Sequence, residues 1–322
     1  MHFIVFGVGA IGGFYGASML DYIKQNPEHK LSFVARGKTL DILQNQGLKL
    51  TCIKENFGKM EENTIIANDL KVYDKVYNAD IDPKELTVIL LCSKSGGTLE
   101  AAQDIKKILN DNIRVISVQN GVENEDLLVK ELGEKAVIAA LTTVAAETLE
   151  PGIYLQKGNY GLFLGEYKPQ KAGEVLQEIH KTFREAGIKA HLKDDMKQAL
   201  WSKLVWNASF NPLSVFLEAT VGPIMNTPEH LARIRAIMNE VVAVAKAQDI
   251  NLKEDIVDDH INRTSEPEWI DFRTSMLQDF QKGKELEIEE LLGVVVRKGK
   301  EFEIKTPEAA LLYEDLKKKL SL

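Results

Sequence analysis

The chain has 322 residues, 44% of them hydrophobic, and 40 basic against 48 acidic side chains leave a formal net charge of −8. That length suggests about two domains, and the acidic balance argues against a nucleic-acid surface. No apolar run approaches the ~20 residues that span a bilayer, and no basic leader with an apolar core opens the chain, so a cytoplasmic protein with no membrane partner is expected. The two cysteines, Cys52 and Cys92, have no metal-like spacing, and no metal site is expected.

The first element is a short β-type run, His2-Phe3-Ile4-Val5-Phe6, which breaks into Gly7-Val8-Gly9-Ala10-Ile11-Gly12. A helix-like stretch follows over residues 10–23. In a strand–turn–helix of this kind the first glycine allows the tight turn and the second lets a pyrophosphate approach the backbone. The third lets helix and strand press together, and the free amides at the helix start face the anion. A second strand over residues 31–35 ends in Arg36-Gly37-Lys38. An NAD site would place an acid near there to accept from the adenosine ribose hydroxyls. A guanidinium fork suits a phosphate dianion instead, so the reading is NADP(H), against the plain alternative of a solvated arginine at a strand end.

A helix over residues 39–46 and a mixed, hairpin-like excursion over 48–80 come next, with further strand pieces at 71–73 and 75–77. Parallel-sheet rhythm then returns: strand 87–92, helix 98–109, strand 114–118, helix 125–132 and strand 136–140. Short alternating segments over 142–166 suggest a small antiparallel extension. A helix over 172–186 and a strand over 188–192 end the β-type patterning. Beyond Asp194 the periodicity is helical, over 196–217, 228–248, 254–262, 269–282, 285–300 and 307–320.

The fold class expected is therefore α/β, an N-terminal Rossmann-type dinucleotide-binding domain (1–194) followed by an all-helical C-terminal domain (195–322) with a cleft between them. Polar residues at strand ends, Lys94 and Gln119-Asn120-Gly121 among them, would face ligands there. Lys94 also reads as an ordinary surface lysine, and Asn120-Gly121 as a turn.

In the helical half, Lys203, Asn207 and Asn211 lie four apart and form one polar stripe among Trp201, Leu204, Val205, Trp206, Ala208 and Phe210. A lysine in such apolar company can have a lowered pKa and donate a proton; a wet helix face is the alternative. Pro212 should kink or end the helix beside the stripe. Glu287 borders an apolar stripe of Ile288, Leu291, Leu292 and Val295, and periodicity alone favours its being solvated.

Together these residues resemble the ketopantoate reductase (2-dehydropantoate 2-reductase) family. The likeness runs through nearly the whole chain: the glycine turn, Arg36, Lys94, Gln119-Asn120-Gly121, Lys203-Leu204, Asn207, Asn211-Pro212-Leu213, Ser275-Met276-Leu277-Gln278-Asp279 and Glu287-Ile288. The resemblance implies NADPH-dependent reduction of 2-dehydropantoate to pantoate, toward pantothenate and coenzyme A. It makes Lys203 the general acid, with Glu287 holding it and accepting from the substrate hydroxyl. Asn120, Asn207 and Asn211 would orient substrate and lysine, and Ser275 would bind the carboxylate. Gly7 to Gly12, Arg36, Lys94 and Asn120 would contact the cofactor. Departures stand at the substrate end: Phe272 replaces a frequent asparagine, Leu286 a threonine, Glu289 an aspartate, and Val221-Gly222 a polar residue. The partner expected is a small 2-oxo acid. Other readings are a reductase or dehydrogenase of a different 2-oxo or 2-hydroxy acid, and an NADP(H) sensor without turnover. The sequence leaves the oligomeric state open between a monomer and a homodimer.

Overall fold

The computed structural model describes residues 1–56 and 59–321. Two compact units divide the chain: Met1–Gln119 with Glu123–Met196, and Asn120–Val122 with Lys197–Leu322.

The first unit is built on an eight-stranded sheet. Its strands are β1 (His2–Phe6), β2 (Lys30–Val34), β5 (Val72–Tyr73), β6 (Thr87–Leu91), β7 (Ile113–Ser117), β8 (Val137–Thr142), β11 (Leu162–Glu166) and β12 (Ala190–Leu192). Their order is β12-β11-β8-β7-β6-β1-β2-β5. The pairings are parallel except β11 against β8. The chain leaves β1 for β2 on one side and reaches β6 on the other, so the strand order reverses at β1. Ligands in open α/β sheets bind at such a reversal, outside the carboxyl ends of the strands.

Alternation along the strands explains why they are apolar throughout. Phe3, Val5, Val88 and Leu90 face one core. Ile4, Phe6, Ile89 and Leu91 face the other. Both faces are therefore covered, as parallel sheets require. Helices α1 (Ala10–Gln25) and α5 (Glu174–Glu185) cover the first face through Phe14, Tyr15, Leu176 and Phe183. Helices α3 (Thr98–Lys106) and α4 (Asn124–Leu132) cover the second through Ala101, Ile105 and Leu128. A short helix α2 (Gly37–Gln46) follows β2.

A second sheet of four strands lies in the same unit, with order β4-β3-β10-β9 for β3 (Leu48–Asn56), β4 (Lys59–Ala67), β9 (Ala145–Glu150) and β10 (Ile153–Lys157). The excursion after α2 and the later antiparallel extension thus join one sheet, through a parallel pairing of β3 with β10. Residues 57–58, within that excursion, lie outside the described residues. The strand expected at 75–77 is a 3-10 turn, Val76–Asn78.

The second unit is helical: α6 (Met196–Leu217, opening at the junction), α7 (Val221–Met225), α8 (Pro228–Lys246), α9 (Ile256–Thr264), α10 (Ser275–Gln281), α11 (Val294–Glu301) and α12 (Pro307–Leu320). Helix α6 is buried on nearly all sides from Leu204 to Val215, which makes it the central rod of this core. Pro212 lies inside α6, and the helix runs five residues past it instead of ending. Phe210, Leu213 and Val215 are fully buried there, and their burial outweighs the hydrogen bond that proline forfeits. Two other expected helices differ. The stretch 269–282 splits into a 3-10 turn at Pro267–Trp269 and α10, because Thr274 caps a new start by accepting from the Leu277 amide. The helix expected from 285 leaves 284–287 non-helical and opens at Ile288 through a π-helical turn, Glu289–Gly293.

Candidate active site

In the first unit the glycine turn has the form its sequence implies. Gly7 has φ +92°, and a side chain there would strike the Ser93 backbone. A Cβ on Gly12 would collide with the Gly7 carbonyl oxygen, so only glycine permits this closeness of turn and helix. Gly9 is exposed with open space about it, the condition an approaching pyrophosphate needs. Tyr154, fully buried on β10, donates its hydroxyl to the Val8 carbonyl at 3.0 Å and packs where a Gly13 side chain would stand. Burial pushes its phenol up to about 12, so it remains a donor. Sequence reasoning missed Tyr154: a tyrosine in a short β-run carries no signal of what lies across from it.

The loop between β6 and α3 carries Lys94, which is exposed. A buried polar cluster holds the loop: Gln119 donates to the Ser93 carbonyl at 3.0 Å, and Thr98 to the Ser95 carbonyl at 2.7 Å. The Thr98 hydroxyl also lies 3.0 Å from the Asn124 carboxamide oxygen. Thr98 and Asn124 are further residues unmarked in the sequence. Arg36 is exposed at the start of α2 and pairs with Glu100, Nη1 to Oε2 at 2.9 Å and Nη2 to Oε1 at 2.8 Å. The glycines, Arg36 and the ordered Lys94 loop all stand at carboxyl ends of strands, and this donor set fits a dinucleotide phosphate chain.

In the second unit the sharper arrangement centres on Asn120. The Lys203 ammonium donates to Asn120 Oδ1 at 3.0 Å, and Asn120 Nδ2 donates to Glu287 Oε2 at 3.1 Å. Residues 83 and 167 positions from Asn120 are thereby joined by one carboxamide. Burial pulls the Lys203 ammonium down to about 8, and the Glu287 carboxylate partly restores it. A nearby anion relieves part of the cost of burying such a charge, and at about 8 the amine stays largely protonated at neutral pH yet is ready to release its proton. Glu287 is half-buried, not on a solvated face, because the non-helical 284–287 segment takes it out of the helical register that periodicity assumed.

Asn207 and Asn211 are buried on α6, one and two turns beyond Lys203. The Asn211 Oδ1 is buried without a hydrogen-bond partner among the described residues. Ser275 is exposed in the first turn of α10, positioned by the Thr274 cap, whose hydroxyl also meets Ser214 Oγ at 2.7 Å. These three residues stand outside the Lys203–Asn120–Glu287 chain. Helix α9 braces α6 from its side: Trp206 donates to Thr264 Oγ1 at 3.0 Å, and His260 Nε2 meets the Ser202 carbonyl at 2.9 Å.

The departures at Val221-Gly222, Phe272 and Leu286 are physically related. The Val221 amide donates to the Phe272 carbonyl at 3.0 Å, and the Gly222 amide to the Ile270 carbonyl at 3.0 Å. Phe272 packs against Trp269 with centroids 4.7 Å apart and edge-on to Trp206 at 6.2 Å. Val221 is part of the helical core, and Phe272 and Leu286 pack against it. These three departures have turned toward apolar packing, whereas Glu289 is exposed and pairs with Arg297.

Known proteins share the two-part architecture of this chain. A sequence model described as ketopantoate reductase PanE/ApbA matches residues 3–169, and one described as ketopantoate reductase PanE/ApbA C terminal matches residues 195–320. The 2-dehydropantoate 2-reductase of Archaeoglobus fulgidus is 28% identical over 300 residues, covering 93% of this chain and 91% of that protein. The crystal structure of 2-dehydropantoate 2-reductase from Geobacter metallireducens superposes with a TM-score of 0.84 at 26% identity, covering 99% of this chain and 100% of that one. A ternary structure of D-mandelate dehydrogenase with NADH and anilino(oxo)acetate shares the fold, with a TM-score of 0.82 at 21% identity over 100% and 99% of the two chains. A Rossmann-type unit, a helical unit with a half-buried lysine, and full-length likeness to 2-dehydropantoate 2-reductases together mark a two-unit oxidoreductase. The chain belongs to the ketopantoate reductase family.

Proposed function

We propose that the protein reduces 2-dehydropantoate (ketopantoate) to pantoate with NADPH, in the cytoplasm, as a step toward pantothenate and coenzyme A. Residues 1–194 would serve as the NADP-binding domain and residues 195–322 as the helical substrate and catalytic domain. The observation that carries the reading is the Lys203–Asn120–Glu287 chain, an ammonium pulled down to about 8 and steered by one carboxamide. The relatives named 2-dehydropantoate 2-reductase point to the substrate.

NADPH, when bound, supplies the hydride that the carbonyl carbon C2 accepts. Lys203 stabilises the growing charge on the keto oxygen and gives it the proton, leaving a neutral amine that recovers a proton from solvent. Asn120 aims that amine, and Glu287 accepts from the substrate hydroxyl while holding Lys203 through Asn120. Asn207 and Asn211 orient the substrate, and the buried Asn211 oxygen, which has no hydrogen-bond partner among the described residues, supplies an acceptor. Ser275 donates to the carboxylate. Gly7, Val8, Gly9, Ala10, Ile11 and Gly12 hold the pyrophosphate, Arg36 the 2′-phosphate, and Lys94 and Asn120 complete the cofactor contacts.

A second reading keeps this chemistry and changes the substrate to a 2-oxo acid with a less polar tail. The apolar packing at Phe272, Leu286 and Val221 favours it. NADPH oxidation measured with ketopantoate beside 2-oxobutanoate separates the two. A higher kcat/KM for ketopantoate supports the first, and parity or reversal supports the second.

A further inference from the structure

Strands β2 and β5 bring two cations together. They pair in parallel, Phe33 beside Val72 and Val34 beside Tyr73, and the Ala35 amide donates to the Tyr73 carbonyl at 3.0 Å. Arg36 and Lys75 therefore leave the ladder side by side, and like charges so placed repel. Helix α3 answers with two carboxylates one turn apart. Asp104 is buried and takes Lys75 Nζ at 2.9 Å and Lys107 Nζ at 3.0 Å. Glu100 is exposed; it takes the Arg36 fork on both oxygens at 2.9 and 2.8 Å, and Lys75 Nζ at 3.4 Å.

The two acids differ in what they do. Asp104 secures Lys75 whether or not Glu100 is present, and an exposed pair such as Arg36–Glu100 adds little to stability. The fold does not need Glu100 on these cations. What Glu100 presents to Arg36 is two oxygens in the fork, the arrangement a phosphate dianion offers. The residue after the second strand of a dinucleotide-binding unit is also where the adenosine ribose 2′ position falls.

We propose that Glu100 occupies the seat of the adenosine 2′-phosphate, competing with it for Arg36 and Lys75, and so sets how strongly the protein prefers NADPH over NADH. This rests on the NADP reading given above. A bound 2′-phosphate must displace the carboxylate and then stand beside its negative charge, so both effects weaken the phosphorylated cofactor selectively. Lys75 becomes a second phosphate-binding cation, fixed in place by Asp104.

Titration calorimetry with ADP-ribose and ADP-ribose 2′-phosphate tests this without turnover. Glu100→Gln is expected to tighten the 2′-phosphorylated ligand about three- to tenfold while ADP-ribose stays within about twofold, the scale of losing one exposed charged competitor. Lys75→Met is expected to weaken the phosphorylated ligand alone. If Glu100→Gln leaves the ratio of the two affinities unchanged, or lowers it because Glu100 holds Arg36 ready, the inference is overturned. Arg36→Ala tests the NADP reading separately: a ratio equal to wild type refutes that reading, whereas the role of Glu100 is decided by Glu100→Gln.

Discussion

Lys203 and Asn120 meet at 3.0 Å between ammonium and carboxamide oxygen, although Asn120 is carried on the loop after β7 and Lys203 on α6. Asn120 to Val122 cluster with the helical unit, not with the strands that precede them. The proposed proton donor is thus aimed by a residue contributed from the α/β part of the sequence.

Lys203→Ala should lower kcat by about 10²–10⁴, the scale of a lost general acid, with NADPH affinity nearly kept because no part of the glycine turn is altered. Steady-state kinetics beside a fluorescence titration of NADPH measures both. Turnover at the wild-type rate would remove Lys203 from the chemistry.

The pH profile follows from the same amine. Its pKa lies near 8, and the protonated form is the competent acid, so reduction should be level below pH 8 and fall as pH rises through it. Glu287 raises that pKa, so Glu287→Gln should move the break to lower pH. A break that stays in place, or moves upward, would contradict the placement of the carboxylate.

Phe272→Asn exchanges an aromatic packing partner for a carboxamide. Losing the contacts with Trp269 and Trp206 should cost about 1–3 kcal/mol of stability, read by denaturant unfolding. The same change should raise the preference for ketopantoate over 2-oxobutanoate several-fold, because a polar group can then meet the substrate hydroxyl. An unchanged preference would exclude position 272 from substrate choice.

Tyr154→Phe removes the hydroxyl that donates to the Val8 carbonyl, leaving the ring in place. Stability should fall by about 1 kcal/mol, and NADPH and NADH should weaken by equal factors, since the pyrophosphate is common to both. A selective loss of NADPH would show that Tyr154 acts elsewhere.

Local rules determined much of this protein. Period-two alternation in β1 and β6, the glycine spacing after β1, and the four-residue spacing of Lys203, Asn207 and Asn211 depend on neighbours within a turn or two, and they could be read directly. Long-range contacts decided the rest. Burial of α6 carried it past Pro212, and the Thr274 cap divided one expected helix. An irregular segment at 284–287 brought Glu287 to Asn120, where periodicity favoured solvent. The joining of β3 with β10, the Tyr154 hydroxyl under the glycine turn and the Glu100 carboxylate on Arg36 have no local signature. Each depends on which distant segment the fold lays alongside, and spacing along the chain carries no record of that.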